Sequence, residues 1–260
     1  MSAAQVHATA IVHPGAQLGP GVSIGPYSII GEHVVLGEGT WVGPHVVIEG
    51  RTRLGRNNRV YQFASLGAPP QDKKYAGEPT AVEIGDGNTI REGVTINRGT
   101  TDDTRITRIG DDNWLMGSVH IAHDCRVGNK TIMANYTGLA GHVQVGDWAI
   151  LGGATLVHQF VNIGAHSFTS MGTYLARDLP PYVMAAGNMA KPFGVNSEGL
   201  RRRGFAAEAI VRIKQAYRTL YRSGLGLEEA KRQLACLAAS CPEVGVMLEF
   251  LERSKRGFIR

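Results

Sequence analysis

Every sixth residue from Val12 is aliphatic: Val12, Leu18, Ile24, Ile30, Leu36, Val42, Ile48, Leu54, Val60 and Leu66. The phase returns at Ile84, Ile90 and Ile96. It then resumes one residue out of step at Ile109, Leu115, Ile121, Val127, Met133, Leu139, Val145, Leu151, Val157 and Ile163, and fades at Thr169 and Leu175. A period of six fits neither an α-helix nor an alternating strand. It fits a hexapeptide β-helix, in which each hexad forms one side of a triangular coil and its aliphatic residue points into the prism. Three hexads close a coil, so residues 18 apart should stack at the spacing of neighbouring strands, about 4.8 Å. Glycine often follows the aliphatic residue, as at Gly19, Gly25, Gly37 and Gly43, and small residues are expected to turn the corners.

Two segments leave the repeat. Residues 67–83 take the place of two hexad positions and keep the frame, and residues 97–108 add seven residues beyond one hexad. Excursions from a regular solenoid cost little core and tend to carry function. The prism should end near residues 178–183, where Pro180 and Pro181 do not suit a central strand. Helical spacing follows at Phe205, Ile210, Ile213, Tyr217, Leu220 and Tyr221, with Gly224 as a stop. A second helix is predicted in LGLEEAKRQLACLAAS and a third in PEVGVMLEFLERSKRG, with Pro242 in its first turn. The division expected is a mainly β prism over residues 1–190 and a small α-helical domain over 191–260. The latter is too small to fold comfortably alone, so it should pack on the prism or on a neighbouring chain.

Composition narrows the setting. The chain has 260 residues, 43% apolar and 19% charged, which describes a folded chain and not a disordered one. Three cysteines (Cys125, Cys236, Cys241) cannot build a disulfide framework and point to a reducing, cytoplasmic compartment. No apolar run is long enough to span a bilayer, and the first residues lack a basic region followed by an apolar stretch, so neither stable membrane insertion nor secretion is expected. The net charge of +5 favours anionic partners without naming one, and no nucleic-acid partner is expected.

The late coils hold His120, His123, His142, His158 and His166. Adding 18 to His123 gives Gly141, and adding 36 gives Gln159, so His123, Gly141–His142 and His158–Gln159 should form a column along one edge. Such a polar column is not required by the aliphatic ladder. Three readings stand: local hydrogen bonding by exposed corner histidines, a zinc site between chains, or a general base. In the last, His123 takes a proton, the adjacent Asp124 fixes its tautomer, and the backbone N–H of Gly141 faces a developing oxyanion.

The motifs HIAHDCRVGN, LAGHV, VHQF, QDKKYAGEPT and GVNSEGLRRRGF, set in hexapeptide repeats and followed by a helical tail, resemble those of the UDP-N-acetylglucosamine O-acyltransferases, and the resemblance covers nearly the whole chain. It implies a left-handed parallel β-helix, a homotrimer with sites between adjacent prisms, and transfer of a 3-hydroxyacyl chain from acyl carrier protein to the glucosamine 3-hydroxyl of UDP-N-acetylglucosamine, the first step of lipid A synthesis. The donor chain arrives on the carrier's phosphopantetheine arm, and neither a bound cofactor nor a metal is implied. By the same resemblance His123 is the base, Asp124 its orienting carboxylate and Gly141 the oxyanion donor. Asp72, Lys74, His120 and His142 match sugar contacts. His158, Gln159, Asn196, Glu198, Arg202 and Arg203 match the nucleotide, phosphate and acyl-chain region. In the first excursion Lys73 stands where relatives carry leucine, and it should point to solvent. Met171 occupies the position of an acyl-length ruler, where a bulky side chain shortens the groove, so a 3-hydroxydecanoyl-like chain is expected over 3-hydroxymyristoyl. Cys125, beside the base, is expected to be a small core residue. The basic residues Arg212, Lys214, Arg218 and Arg222 could steer an acidic carrier. Two rival readings are another hexapeptide acyltransferase and a zinc-dependent, carbonic-anhydrase-like prism.

Overall fold

The structure is a computed structural model and describes residues 3–260. Short strands form three parallel sheets that are the sides of a triangular prism. The first sheet has eleven strands, from Gln5–Val6 to Lys191–Val195. The second has nine, from Ile11–Val12 to Tyr174–Leu175, and the third has eight, from Gln17–Leu18 to Asn162–Ile163. The chain visits them in rotation, so the prism has a first–second, a second–third and a third–first edge.

The register follows the predicted arithmetic. Ile24 lies beside Val42 and Val42 beside Val60, each 18 residues on. Leu54 pairs Ile84 at a separation of 30, so the first excursion inserts two hexads' length. Ile84 pairs Ile109 at 25, which accounts for the seven residues added by the second. Separations of 18 then resume, as in His120 beside Gly138 and Gly138 beside Leu156. Both excursions leave between the second and third sheets, and so stand on the second–third edge. The inward ladder of Ile30, Ile48, Leu66, Ile96, Ile121 and Leu139 is fully buried. Each such side chain contributes roughly 1.5–3 kcal/mol by leaving water. Asn58, Asn88 and Asn113 form a buried amide ladder beside it, each accepting from the backbone and side chain of the next at 2.9–3.0 Å.

Corner chemistry differs from the expectation. At most corners the residue three past the inward aliphatic position is left-handed, and it is mostly not small: Tyr27, His45, Phe63, Asp124, Tyr136, His142, Trp148, Phe160, His166 and Tyr182 all have φ between +54° and +69°. Their side chains stack along the edges, as in Tyr27–His45–Phe63 and Trp148–His166–Tyr182. Stacking offsets the cost of a left-handed non-glycine residue. The glycine after the aliphatic residue serves close approach instead: a Cβ on Gly25 would lie 2.8 Å from the carbonyl carbon of Gly43 in the next coil.

The first sheet outlasts the predicted end. Beyond Pro180–Pro181, Val183–Ala186 still pairs in parallel with Phe168–Thr169, then turns back as a hairpin with Lys191–Val195. Four helices follow, one more than predicted: α1 (Ser197–Arg202), α2 (Ala207–Arg222), α3 (Leu227–Ala238) and α4 (Pro242–Arg253). α1 is capped by Asn196, whose Oδ1 accepts from the Gly199 N–H at 3.2 Å. α2 buries Ile210, Ile213, Ala216, Tyr217 and Leu220. The carboxylate of Asp178 ties this region to the prism, accepting from Asn162 N–H at 2.8 Å and Ser254 Oγ at 2.7 Å. No helix is long and apolar enough to cross a membrane among the described residues.

Candidate active site

The predicted column exists. Ile121 pairs Leu139, and Leu139 pairs Val157, so His123, Gly141 and Gln159 occupy equivalent corner positions in successive coils on the second–third edge. His123 and Gly141 face each other. A Cβ on Gly141 would sit 2.6 Å from His123 Nε2 and 2.5 Å from Cε1, so only glycine lets the backbone lie against this ring.

The corner also explains a free donor. At most corners the amide two residues past the inward aliphatic position has no backbone acceptor among the described residues, and proline fills that place at Pro14, Pro20, Pro26 and Pro44. Gly141 stands at the same place with its N–H intact and without an acceptor among the described residues.

His123 is pinned through one nitrogen only. Its Nδ1 lies 2.9 Å from Asp124 Oδ2, and Nε2 has no partner among the described residues. Asp124 is 1% exposed. Burial raises its pKa, but the hydrogen bonds from His123 and Thr100 outweigh burial and hold it below its ordinary value. Thr100 supplies both a backbone N–H, 3.0 Å from each carboxylate oxygen, and a hydroxyl at 2.6 Å. An ionised carboxylate on Nδ1–H leaves the Nε2 lone pair outward, the arrangement a general base needs.

His142 closes the pocket. Its ring meets His123 edge to face at 5.1 Å between centroids and lies flat on Phe160 at 4.4 Å. Its Nε2 is 3.9 Å from Asp124 Oδ2, and its Nδ1 is 3.4 Å from Asp103 Oδ2. His120 projects from the strand below and shares a 2.7 Å hydrogen bond with Thr95. Burial, and then the nearby His123, lower its pKa, so it is neutral at pH 7. His123, Asp124 and His142 are close enough together to hold a metal ion. Both oxygens of Asp124, however, are already engaged by Thr100 and His123, so a metal would have to displace these bonds.

The other predicted residues are distributed over the prism. Asp72, half-buried, and Lys74, exposed, sit on the first excursion beside the same edge, with the Lys74 N–H donating to Asp72 Oδ1 at 3.0 Å. Lys73 is exposed. Asn97 and Arg98 tether that loop through Pro69 O and Gly67 O, each at 2.8 Å. His158 and Gln159 lie one coil above Gly141. Met171 stands on the first–second edge and is 81% exposed. Asn196 and Arg203 reach the third–first edge, where they bond His166. Glu198 is exposed on α1 and pairs with both Arg201 and Arg202, the latter at 3.0 Å. One chain therefore assembles His120, His123, Asp124, Gly141, His142, His158 and Gln159 with the loop. Asn196 and Arg203 stand a whole sheet away. Cys125 is fully buried, with its thiol pushed up to about 12 by burial, as befits a core residue.

Sequence reasoning missed Thr100, Asp103, Thr95 and Phe160. Thr100 and Asp103 lie in the second excursion, where no period exists to place them against Asp124 and His142. Phe160 was within reach of the arithmetic, since 142 plus 18 is 160.

This arrangement can be set against known proteins. Residues 178–259 match the model described as UDP N-acetylglucosamine O-acyltransferase, domain 2, and residues 3–37 and 106–141 match the bacterial transferase hexapeptide repeat. An acyl-[acyl-carrier-protein]–UDP-N-acetylglucosamine O-acyltransferase of Janthinobacterium sp. (strain Marseille) is 57% identical over 208 residues, covering 78% of this chain and 79% of that protein. The chain belongs to the UDP-N-acetylglucosamine O-acyltransferase family. Solved structures agree throughout the length. The family member from Acinetobacter baumannii superposes with a TM-score of 0.96 at 45% identity, covering 98% of this chain and 99% of that one. The UDP-N-acetylglucosamine acyltransferase of Francisella novicida gives 0.97 at 40% identity, covering 98% and 94%. Membership settles the class as an acyltransferase and sets aside the carbonic-anhydrase-like alternative.

Proposed function

We propose that this chain transfers a 3-hydroxyacyl group from the thioester of acyl carrier protein to the glucosamine 3-hydroxyl of UDP-N-acetylglucosamine, opening lipid A synthesis, with His123 as general base. The activity for which the Janthinobacterium relative is named supports the substrates. One observation carries the mechanism: an imidazole held through Nδ1 by a buried carboxylate and lying against the backbone of Gly141, with neither its Nε2 nor the Gly141 N–H partnered among the described residues.

His123 Nε2 takes the hydroxyl proton as the sugar oxygen attacks the thioester carbonyl. Negative charge collects on the carbonyl oxygen and is met by the Gly141 N–H, a donor that needs no reorganisation. Asp124 stabilises the imidazolium formed. Collapse of the tetrahedral intermediate breaks the C–S bond, and the proton on Nε2 passes to the departing thiolate of the phosphopantetheine arm. No covalent enzyme intermediate is needed.

Asp72, Lys74, His120 and His142 hold the sugar on the same edge. His158 and Gln159 extend the site one coil upward. Asn196, Glu198, Arg202 and Arg203 serve the nucleotide and its phosphates, where guanidinium forks suit phosphate oxygens. Arg203 and Asn196 stand a full sheet from His123 in the same chain, so a shared substrate requires a neighbouring copy. This favours a homotrimer whose prisms pair unlike edges. Met171 limits the acyl groove and favours a 3-hydroxydecanoyl-like chain.

The test is His123→Ala, assayed by mass spectrometry of the acylated UDP-sugar. Turnover should fall by about 10²–10⁴, with oligomeric state and melting temperature unchanged. Undiminished turnover would remove His123 from the role of base.

A further inference from the structure

His166 is a late-coil histidine that the chemistry at His123 does not use. It lies on the third–first edge, a whole sheet from His123. Its ring is the middle member of an aromatic stack, 6.3 Å from Trp148 and 5.8 Å from Tyr182 between centroids, both nearly parallel. Phe205 closes the side edge-on at 5.0 Å. The ring is thus fixed in orientation by three aromatic neighbours.

Two polar contacts leave this fixed residue. Its Nδ1 lies 3.1 Å from Arg203 Nη1, and its carbonyl oxygen accepts from Asn196 Nδ2 at 3.0 Å. A guanidinium has only donors, so Nδ1 must be the acceptor and the ring proton must sit on Nε2. Burial, and then the charge of Arg203, push the pKa of His166 down to about 4, so the accepting form is the one present at neutral pH. The same guanidinium lies over Trp148, 5.1 Å from the ring centroid. Asn196 in turn caps α1, the short helix from which Arg203 follows.

We propose that His166 is a positioning residue for the nucleotide end of the site: its ring nitrogen aims the Arg203 guanidinium over Trp148, while its carbonyl holds the Asn196 cap. Arg203 would otherwise be a long side chain with several rotamers to lose on meeting a phosphate. Prior anchoring through one nitrogen leaves the remaining donors of the fork free and already directed. The inference rests on the reading of Arg203 as a nucleotide contact, and the experiment separates the two.

Two replacements divide the features of His166. His166→Phe keeps the ring stack and removes the acceptor; phenylalanine tolerates this left-handed corner, as Phe63 and Phe160 show. His166→Asn removes the ring but places an amide oxygen where Nδ1 was, and asparagine tolerates the same backbone. Each is assayed for initial rates against UDP-N-acetylglucosamine at saturating acyl carrier protein, beside Arg203→Ala and the double variant His166→Phe with Arg203→Ala. His166→Phe should raise KM for the UDP-sugar about tenfold with kcat within about twofold. His166→Asn should recover most of that loss. The double variant should be no worse than Arg203→Ala alone. An unchanged KM in His166→Phe, with Arg203→Ala impaired, overturns the positioning role and leaves the reading of Arg203 intact. An unchanged KM in Arg203→Ala overturns both. A His166→Asn variant worse than His166→Phe would show that the stack alone matters, and would also overturn the proposal.

Discussion

Met171→Gly tests the proposed acyl-length ruler. Met171 lies on the first–second edge, 81% exposed, one coil above Gly153. A Cβ on Gly153 would lie 3.7 Å from Met171 Cε and 4.0 Å from Cγ, so the thioether lies over the bare backbone of that glycine. In the proposed reading the side chain fills space that an acyl tail would otherwise take. It has four non-hydrogen atoms, about the length by which a tetradecanoyl chain exceeds a decanoyl chain. At about 0.8 kcal/mol per buried methylene, releasing that space is worth at most about 3 kcal/mol, or roughly two orders of magnitude in kcat/KM for the longer chain. Because Met171 is exposed, its removal should cost stability only the few tenths of a kcal/mol, up to about 1, that glycine entropy takes. The assay is kcat/KM for 3-hydroxyacyl carrier proteins of graded length, with the wild-type chain and the variant side by side. The wild-type chain should prefer the 3-hydroxydecanoyl donor, and Met171→Gly should shift the optimum toward 3-hydroxymyristoyl. A wild-type optimum at the longest donor, or an unaltered order in the variant, would refute the ruler argument.

Two further substitutions probe the catalytic corner. Gly141→Ala should cut kcat about 10²-fold or more, since its Cβ would sit 2.6 Å from His123 Nε2 and displace both the base and the oxyanion donor; wild-type rates would show that the backbone N–H is not used. Thr100→Val removes the 2.6 Å hydroxyl bond to buried Asp124 and should cost about 1–3 kcal/mol by chemical denaturation. The native pKa of Asp124 is held below its unfolded value, so its contribution is present above about pH 4 and is lost as pH falls through the native value. Thr100→Val should raise that native value and so diminish the acid-sensitive part of the stability. An identical pH–stability curve below pH 5 would show that the Thr100 hydroxyl does not stabilise the carboxylate.

The prism and its column were readable because both follow from counting. Inward residues recur every six positions, a coil is eighteen, and the register bears this out on either side of the excursions. The tethers of the site were not readable. Thr100 and Asp103 lie 24 and 39 residues from their partners, on a stretch whose path is set by its own turns and not by the repeat. α1 was missed because six residues with an internal glycine carry too little amphipathic pattern to detect. The hairpin of Val183–Ala186 and Lys191–Val195 was hidden by prolines that mark strand ends in most settings; here Pro180 and Pro181 precede the strand and leave its ladder intact. Large left-handed corner residues ran against local preference, and only their stacking along an edge, a contact between coils, makes them favourable.

In the proposed mechanism, the position that builds the corner is also the position that does the chemistry. At most turns the scaffold leaves one amide without a ladder acceptor and places the next residue in a left-handed conformation. At several other corners proline takes the first place or an aromatic ring the second. On the second–third edge the amide place is given to His123 and Gly141, and the left-handed place to Asp124 and His142. The left-handed turn at Asp124 brings its carboxylate back onto the ring of the residue before it, an adjacency that an extended strand would deny because successive side chains there point to opposite faces. The proposed base and its carboxylate partner can therefore be neighbours in sequence only because they sit at a corner. The proposed oxyanion donor lies on the next coil, and coil spacing, not loop conformation, sets the distance between His123 and Gly141. Rigidity at this site is thus inherited from the aliphatic ladder beneath it: a cavity made at Ile121 or Leu139, the inward residues of these two coils, should impair turnover before it unfolds the prism.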